Sequence, residues 1–308
     1  MKVFIDGQAG TTGLQLEERL KKRADIQLLE IPEALRKDPA TRKELIQSAD
    51  ITFLCLPDDE AIKSAQMASP DKIIIDASTA HRTNPGWVYG LPELSQAQRE
   101  KLKSAKRIAV PGCHAAGFIS LISPLIAAGA ISKDDTMACT SITGYSGGGK
   151  PMIASYETNR NPGDNLKAPR PYALGLTHKH LSEITAVCGL TNPPIFMPVV
   201  GDFAQGMLVT IPLNMKNAKV ATHQILASHY KNSNFIKVSP LQSPSEDNAN
   251  LLDATANNGT NKMDIFVFGN DTQLLLVARH DNLGKGASGA AVQCMNIACG
   301  LDEGVGLQ

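Results

Sequence analysis

The stretch Phe4-Ile5-Asp6-Gly7-Gln8-Ala9-Gly10-Thr11-Thr12-Gly13 sets three glycines at intervals of three, directly after an apolar run that begins at Val3. A turn of residues without Cβ lets backbone N–H groups approach a pyrophosphate, and the helix behind it offers its free N–H groups and dipole to the same anion. Taken alone, the pattern also suits a plain strand-to-helix turn. The surroundings decide between the two. Outward from the turn, the apolar runs Val3–Ile5, Ile26–Ile31, Ile51–Leu56, Ile73–Ile75 and Ile108–Val110 alternate with helical patterns at Leu14–Arg23, Arg42–Ser48, Glu60–Met67 and Gln96–Ser104. Runs that are apolar throughout, rather than at every second residue, belong to strands covered on both faces, as in a parallel sheet of βαβ units. Residues 1–112 are therefore read as a Rossmann-type dinucleotide-binding domain, with Gly7, Gly10, Thr11, Thr12 and Gly13 at the cofactor. Glu30, near the end of the second strand, would suit the ribose diol of NAD. Arg36-Lys37 and the hydroxyls of Thr11 and Thr12 would receive the 2′-phosphate of NADP, and the reading leans to NADP.

After Gly112 the texture changes. Ala115–Ala128 reads as a buried helix closed by Gly129, and Met137–Ile142 as a strand running into the glycine-rich Gly144–Lys150. Residues 151–175 are dense in Pro, Asn and Gly and read as turns. The runs Ile195–Val200, Met207–Pro212, Asp264–Phe268 and Leu274–Arg279 carry interspersed polar residues around one helix, Ala221–Tyr230. That mixture suits a mostly antiparallel sheet with helices on one side. The expected class is thus α/β, with a Rossmann-type sheet followed by an α+β catalytic and oligomerisation domain over 113–283. A long surface loop is expected over 240–262. A last helix from Lys285 to Gly300, apolar on one side, is expected to complete the first domain over 284–308.

Bulk properties narrow the function. The formal net charge is zero, so nucleic acid and anionic membranes are poor partners. No apolar run reaches the ~18 residues that a membrane span requires. Met1-Lys2 leads straight into a strand, and the six cysteines form no CxxC pair. They are read as reduced thiols of a cytoplasmic protein.

One of those thiols stands apart. Val110-Pro111-Gly112-Cys113-His114 sets Cys113 behind a turn and at the start of a helix. First-turn N–H groups stabilise a thiolate, which attacks acyl carbons and aldehydes. Cys55, Cys139, Cys188, Cys294 and Cys299 lie within apolar elements and read as structural. The nucleophile needs an acid/base group. His178-Lys179-His180, ahead of Leu181-Ser182-Glu183, is read as part of a helix. Two histidines at i, i+2 would point about 200° apart there and would not chelate one metal, whereas His180 and Glu183 would share a face. No metal is expected. His114 and His81 are further candidates. Arg82, after a strand end, and Lys150, closing the triple-glycine loop, suit a phosphate or carboxylate.

Gly7–Gly13, Asp76–Arg82, Val110–Gly117, Gly144–Lys150, Arg170–Glu183 and Asn282–Gly289 together resemble the N-acetyl-γ-glutamyl-phosphate reductase family, in its shorter form. The resemblance runs through the whole chain in order, and its Pro-Gly-Cys turn and His178–Glu183 stretch are the most specific parts. It implies an NADP-dependent enzyme of arginine biosynthesis, acting on a small acyl phosphate and forming homodimers or homotetramers. Cys113 would then carry a thioester. His178 would be the acid/base group, with His180 and Glu183 orienting or supporting. Arg82, Ser146, Lys150 and Arg170 would bind substrate, and Ser78, Asn282, Gly284 and Gly286 would lie at the cofactor. Two rivals share the residue chemistry. One is an aspartate-semialdehyde dehydrogenase-like enzyme; the other is a dinucleotide-sensing protein without catalysis.

Overall fold

The structure is a computed structural model and describes residues 1–158, 165–241 and 251–307. The chain divides into two compact units, Met1–Gly112 with Ala287–Gln308, and Cys113–Gly286.

The first unit runs β1 (Lys2–Asp6), α1 (Thr11–Lys21), β2 (Gln27–Leu29), α2 (Pro39–Ser48), β3 (Ile51–Leu54), α3 (Asp58–Met67), β4 (Ile73–Asp76), β5 (Val88–Tyr89), α4 (Gln96–Ser104) and β6 (Arg107–Ala109). Its strands lie in the order β2-β1-β3-β4-β6-β5, with all neighbours parallel. The order reverses between β1 and β3, which is where sheets of this kind leave a ligand crevice. Helix α2 starts earlier than the apolar pattern suggests. The Asp38 side chain accepts from the Thr41 N–H and Pro39 takes the first helical position, so the cap sets the start. The two-residue β5 is too short to leave a signal in the sequence.

The second unit runs α5 (Cys113–Ala127), β7 (Ala138–Gly144), α6 (Gly149–Glu157), β8 (Arg170–Pro171), α7 (Leu181–Cys188), β9 (Ile195–Gly201), β10 (Met207–Asn214), α8 (Lys219–His229), β11 (Ile236–Val238), β12 (Met263–Gly269) and β13 (Gln273–His280). Its sheet has the order β11-β12-β13-β10-β7-β9-β8 and is mixed. β11 with β12 and β7 with β9 are parallel, and the remaining pairs are antiparallel. Helix α5 packs on β10 and β13 and against α7 and α8, while α8 packs on β11 and β12. Apolar Ile142, Ile195, Met197 and Leu275 are exposed. Pairing sets Ile142 beside Leu208, Ile195 beside Ala138, Met197 beside Thr140 and Leu275 beside Pro212. One expectation changes here. Residues 151–175 are not all turns, because Pro151 falls early in α6, where its missing N–H does no harm. Part of the loop expected over 240–262, residues 242–250, lies outside the described residues.

After β13 a π-helical turn, Gly284–Ser288, leads to α9 (Gly289–Ala298) in the first unit. This helix is buried all round rather than apolar on one side, Gln293 and Asn296 included. Gln293 donates to Glu93 and Glu303, and the Asn296 side-chain amide donates to the Glu303 and Val305 carbonyls. Two apolar cores line the first sheet. Val3, Ile5, Ile51, Phe53 and Ile75 share one with α1 and α9. Phe4, Leu54 and Ile74 share the other with Ile46 of α2 and Ala61 of α3. Successive residues of each strand feed opposite cores, which is why the strands read as unbroken apolar runs.

Candidate active site

Cys113 is the first residue of α5 and is half-buried. Residues at that position precede N–H groups that no helical carbonyl satisfies, and these favour an anion. The other thiols differ in kind. Burial pushes Cys55 and Cys139 far above the ordinary thiol range and Cys188 up to about 12, and it raises Cys299 as well. Such thiols stay protonated and unreactive at neutral pH.

A cluster of rings surrounds the start of α5. His178 and His180 precede α7 rather than lying on it, with His180 as its N-cap residue. Their rings meet edge to face at 4.7 Å, so the expected divergence of the pair does not hold. The reason lies in the backbone. Ala173 and Leu176 take positive φ values of 52° and 56°, which curl the chain ahead of the helix. The His180 backbone N–H donates to Nδ1 of His178 at 3.2 Å. Nδ1 is thereby the acceptor, and the proton of the neutral ring sits on Nε2. Among the described residues, no group of three or more His, Cys, Asp or Glu side chains has the arrangement of a metal site. Glu183 is buried in the first turn of α7, one turn after His180.

His114 lies 5.3 Å from the His178 ring and 5.5 Å from the His180 ring. Both of its nitrogens are engaged, Nδ1 with Ser141 Oγ at 2.7 Å and Nε2 with Tyr172 Oη at 2.9 Å. Burial, then the neighbouring charges of His178 and His280, hold its pKa down to about 3. A ring that does not charge near neutrality is no proton donor there. Tyr172 was not singled out from sequence. Burial and then the charge of Cys113 raise its phenol well above its usual range, which places the hydroxyl in the electrostatic reach of the thiol. Ser141 had a signal: Cys139, Ser141 and Thr143 form the inward row of β7, and a polar row on a core face demands partners.

The predicted anion groups fall in different settings. Ser146 is buried and accepts from the Asn282 side-chain amide at 3.0 Å, while the Asn282 side-chain oxygen accepts from Gly206 N–H. Lys150 in α6 and Arg170 in β8 are exposed. In the first unit, Arg82 donates to the carbonyls of Val110 and Ala77, at 2.9 and 3.2 Å. Asp76 accepts from the Ser78 N–H and hydroxyl and contacts His81 Nδ1 at 2.7 Å, with His81 stacked on Trp87 at 3.9 Å. Gly284 and Gly286 serve close approach within the second unit. A Cβ on Gly284 would stand 2.1 Å from the Thr260 carbonyl, and one on Gly286 would stand 2.7 Å from Cys113 Cβ.

The turn after β1 fits a dinucleotide. Gly7 has φ +89°, and a Cβ on it would stand 2.3 Å from the Cys55 carbonyl oxygen. A Cβ on Gly13 would stand 2.6 Å from the Gly7 carbonyl, so strand, turn and helix close tightly. The N-cap of α1, Gly10, supplies no side-chain bond to the first turn, and no acidic residue stands there. The Thr11 hydroxyl is buried without a partner. Free N–H groups, an unmet hydroxyl and no Cβ in the way are what a pyrophosphate uses.

A half-buried free thiol at a helix start and a histidine cluster in one unit, with a glycine turn on a parallel sheet in the other, suit a class of two-unit, dinucleotide-binding dehydrogenases. The family models agree: "Semialdehyde dehydrogenase, NAD binding domain" matches residues 2–105, and "Semialdehyde dehydrogenase, dimerisation domain" matches residues 113–282. Among curated relatives, the N-acetyl-gamma-glutamyl-phosphate reductase 2 of Nostoc sp. is 46% identical over 99% of both chains. That of Chelativorans sp. is 44% identical over 96% of this chain and 97% of its own. The chain belongs to the N-acetyl-gamma-glutamyl-phosphate reductase family. Its fold is shared with a probable aspartate-semialdehyde dehydrogenase from Pseudomonas aeruginosa, at TM-score 0.71 and 15% identity over 97% of this chain and 98% of that one. Aspartate semialdehyde dehydrogenase II from Vibrio cholerae gives TM-score 0.68 at 14% identity over 97% and 98%.

Proposed function

We propose that this chain reduces N-acetylglutamyl 5-phosphate to N-acetylglutamate 5-semialdehyde with NADPH, through a thioester on Cys113. The observation that carries the reading is the placement of Cys113 at the first position of α5, in one unit with the His178–His180 pair and Tyr172. The names of the full-length relatives support the substrate.

The thiolate of Cys113 attacks the acyl carbon; a C–S bond forms, the C–O bond to phosphate breaks, and inorganic phosphate leaves. Arg82, Ser146, Lys150 and Arg170 are the groups assigned to the phosphate and carboxylate. A bound nicotinamide dinucleotide supplies the hydride that the thioester carbon accepts. The Nε2–H of His178 donates a hydrogen bond to the carbonyl oxygen and steadies the negative charge that develops there as hydride adds and the tetrahedral thiohemiacetal alkoxide forms. As the C–S bond breaks, that charge passes to sulfur and the aldehyde leaves, which restores the thiolate. His180 and Glu183 hold His178 and the substrate in place.

Gly7, Gly10, Thr11, Thr12 and Gly13 hold the dinucleotide, with Ser78, Asn282, Gly284 and Gly286 assigned to its nicotinamide side. The NADP preference rests on Thr11, Thr12 and the Arg36-Lys37 pair. Arg36 stands 3.4 Å from Glu33, an exposed ion pair weak enough for a 2′-phosphate to displace. The exposed apolar face of the second sheet suits association of copies into a homodimer or homotetramer. No helix among the described residues is long and apolar enough to cross a membrane. The six free thiols fit the reducing cytoplasm.

The test runs the reaction backward, with N-acetylglutamate semialdehyde, NADP and phosphate, and follows NADPH absorbance. Phosphate-dependent NADPH formation that Cys113→Ser abolishes is the expected result. Activity with aspartate semialdehyde alone would keep the chemistry and overturn the substrate. NADP binding without turnover of either aldehyde would favour the sensing protein.

A further inference from the structure

His280 closes β13 and is fully buried. Its Nε2 lies 3.0 Å from the carbonyl oxygen of Cys113. A carbonyl only accepts, so the proton sits on Nε2 and the ring donates to the backbone of the nucleophile. Nδ1 of the same ring is buried with no hydrogen-bond partner. A buried acceptor left unmet is a burden that a residue serving packing alone would not carry. Burial, with a smaller push from Lys285, outweighs the Cys113 carbonyl and holds the ring's pKa down to about 4. The bond is therefore made by a neutral imidazole throughout the neutral range.

The surroundings are shaped for this approach. Gly117 stands one turn along α5, in the middle of a helix where glycine is unfavourable. A Cβ there would lie 3.1 Å from His280 Cε1 and 2.6 Å from Val209 Cγ2. On another side of Cys113, the Gly286 backbone lies where a Cβ would stand 2.7 Å from Cys113 Cβ. The Gly286 N–H is bonded at 3.0 Å to the carbonyl of Asp281, the neighbour of His280. One short segment thus grips Cys113 at two points, its carbonyl and its Cβ.

We propose that His280 is a positioning residue for the reaction. Its Nε2–H bond to the Cys113 carbonyl, with Gly286 against the Cys113 Cβ, fixes the nucleophile's backbone and keeps the thiolate at the first-turn N–H groups of α5. This rests on the reading of Cys113 as the nucleophile.

The full-length enzyme is compared with His280→Leu, which keeps bulk and loses the donor, and His280→Gln, whose amide reaches the same carbonyl. Steady-state kinetics and the pH profile of Cys113 alkylation by iodoacetamide are measured. In His280→Leu, kcat falls about 10-fold, or about 1.4 kcal/mol, with KM nearly unchanged, and the alkylation profile moves to higher pH by about half a unit or more. His280→Gln recovers most of both. A folded His280→Leu with the parent's kcat and profile overturns the proposal, as does a His280→Gln no better than His280→Leu. If His280→Leu does not fold, nitrogen NMR of the parent decides. A neutral, Nε2-protonated ring from about pH 5 upward supports the proposal, and an Nδ1-protonated ring or one titrating near the ordinary 6.5 overturns it. The underlying reading fails separately, if Cys113 is alkylated without loss of activity; the shift of the alkylation profile still decides the role of His280.

Discussion

Mild acid should destabilise this protein well before its carboxylates protonate. His114 and His280 are fully buried, with pKa values held down to about 3 and about 4. Unfolding returns both rings to about 6.5. The folded state thus binds these protons less readily than the unfolded one. Stability is complete above about pH 6.5 and is lost as pH falls toward the folded values. At about pH 5 each ring lies about 1.5 units below its unfolded pKa, which at 1.36 kcal/mol per unit is a loss of about 2 kcal/mol per ring and about 4 kcal/mol for both. The carboxylates held below their ordinary values of 4.5 or 3.8, among them Glu17, Asp25, Asp38 and Asp253, act only below that window. Urea unfolding at about pH 7.5 and about pH 5, at fixed ionic strength, measures the difference. Replacing His280 by Gln should remove about half of it. A stability that stays level across this range would refute the reasoning, because it would mean that these rings charge as readily folded as unfolded.

Arg42 donates to Asp6 at 3.0 Å, to Glu60 at 3.1 Å and to the Ser64 hydroxyl, tying β1 to α2 and α3. Arg42→Leu leaves the Asp6 carboxylate buried and unpaired and should cost about 3–5 kcal/mol in urea unfolding, with Asp6→Asn in the same chain recovering part of it. Gly7→Ala meets the Cys55 carbonyl and a positive φ, so fluorescence titration should show NADPH binding at least about tenfold weaker, while Cys113 alkylation is unchanged. Tyr172→Phe removes the hydroxyl from His114 Nε2 and should lower stability by about 1 kcal/mol. Peptide mapping after brief iodoacetamide treatment should find Cys113 labelled first, with Cys55, Cys139 and Cys188 labelled only after unfolding.

The parallel sheet was legible because both of its faces are covered. Phe4 and its neighbours Val3 and Ile5 feed separate cores, and the sequence shows that as unbroken apolar runs. The glycine turn was legible because Gly7 and Gly13 tolerate no Cβ. Elements set by capping or by a few residues were not: α6 hides in a Pro- and Gly-rich stretch, and β5 and β8 are two residues long. In the ring cluster, Cys113 announced itself through its turn. The convergence of His178 and His180 did not, because it depends on left-handed backbone at Ala173 and Leu176, two residues that give no local hint of it. Tyr172 and His280 act through partners 58 and 167 positions away, a separation that no local pattern encodes.

The most direct measurement mixes the protein with N-acetylglutamyl 5-phosphate in the absence of NADPH and takes its intact mass. The account predicts a mass gain of one N-acetylglutamyl group, mapped to Cys113, removed by hydroxylamine and discharged as semialdehyde when NADPH is added. No adduct on a chain that turns the substrate over at its normal rate, or an adduct on a residue other than Cys113, would contradict it.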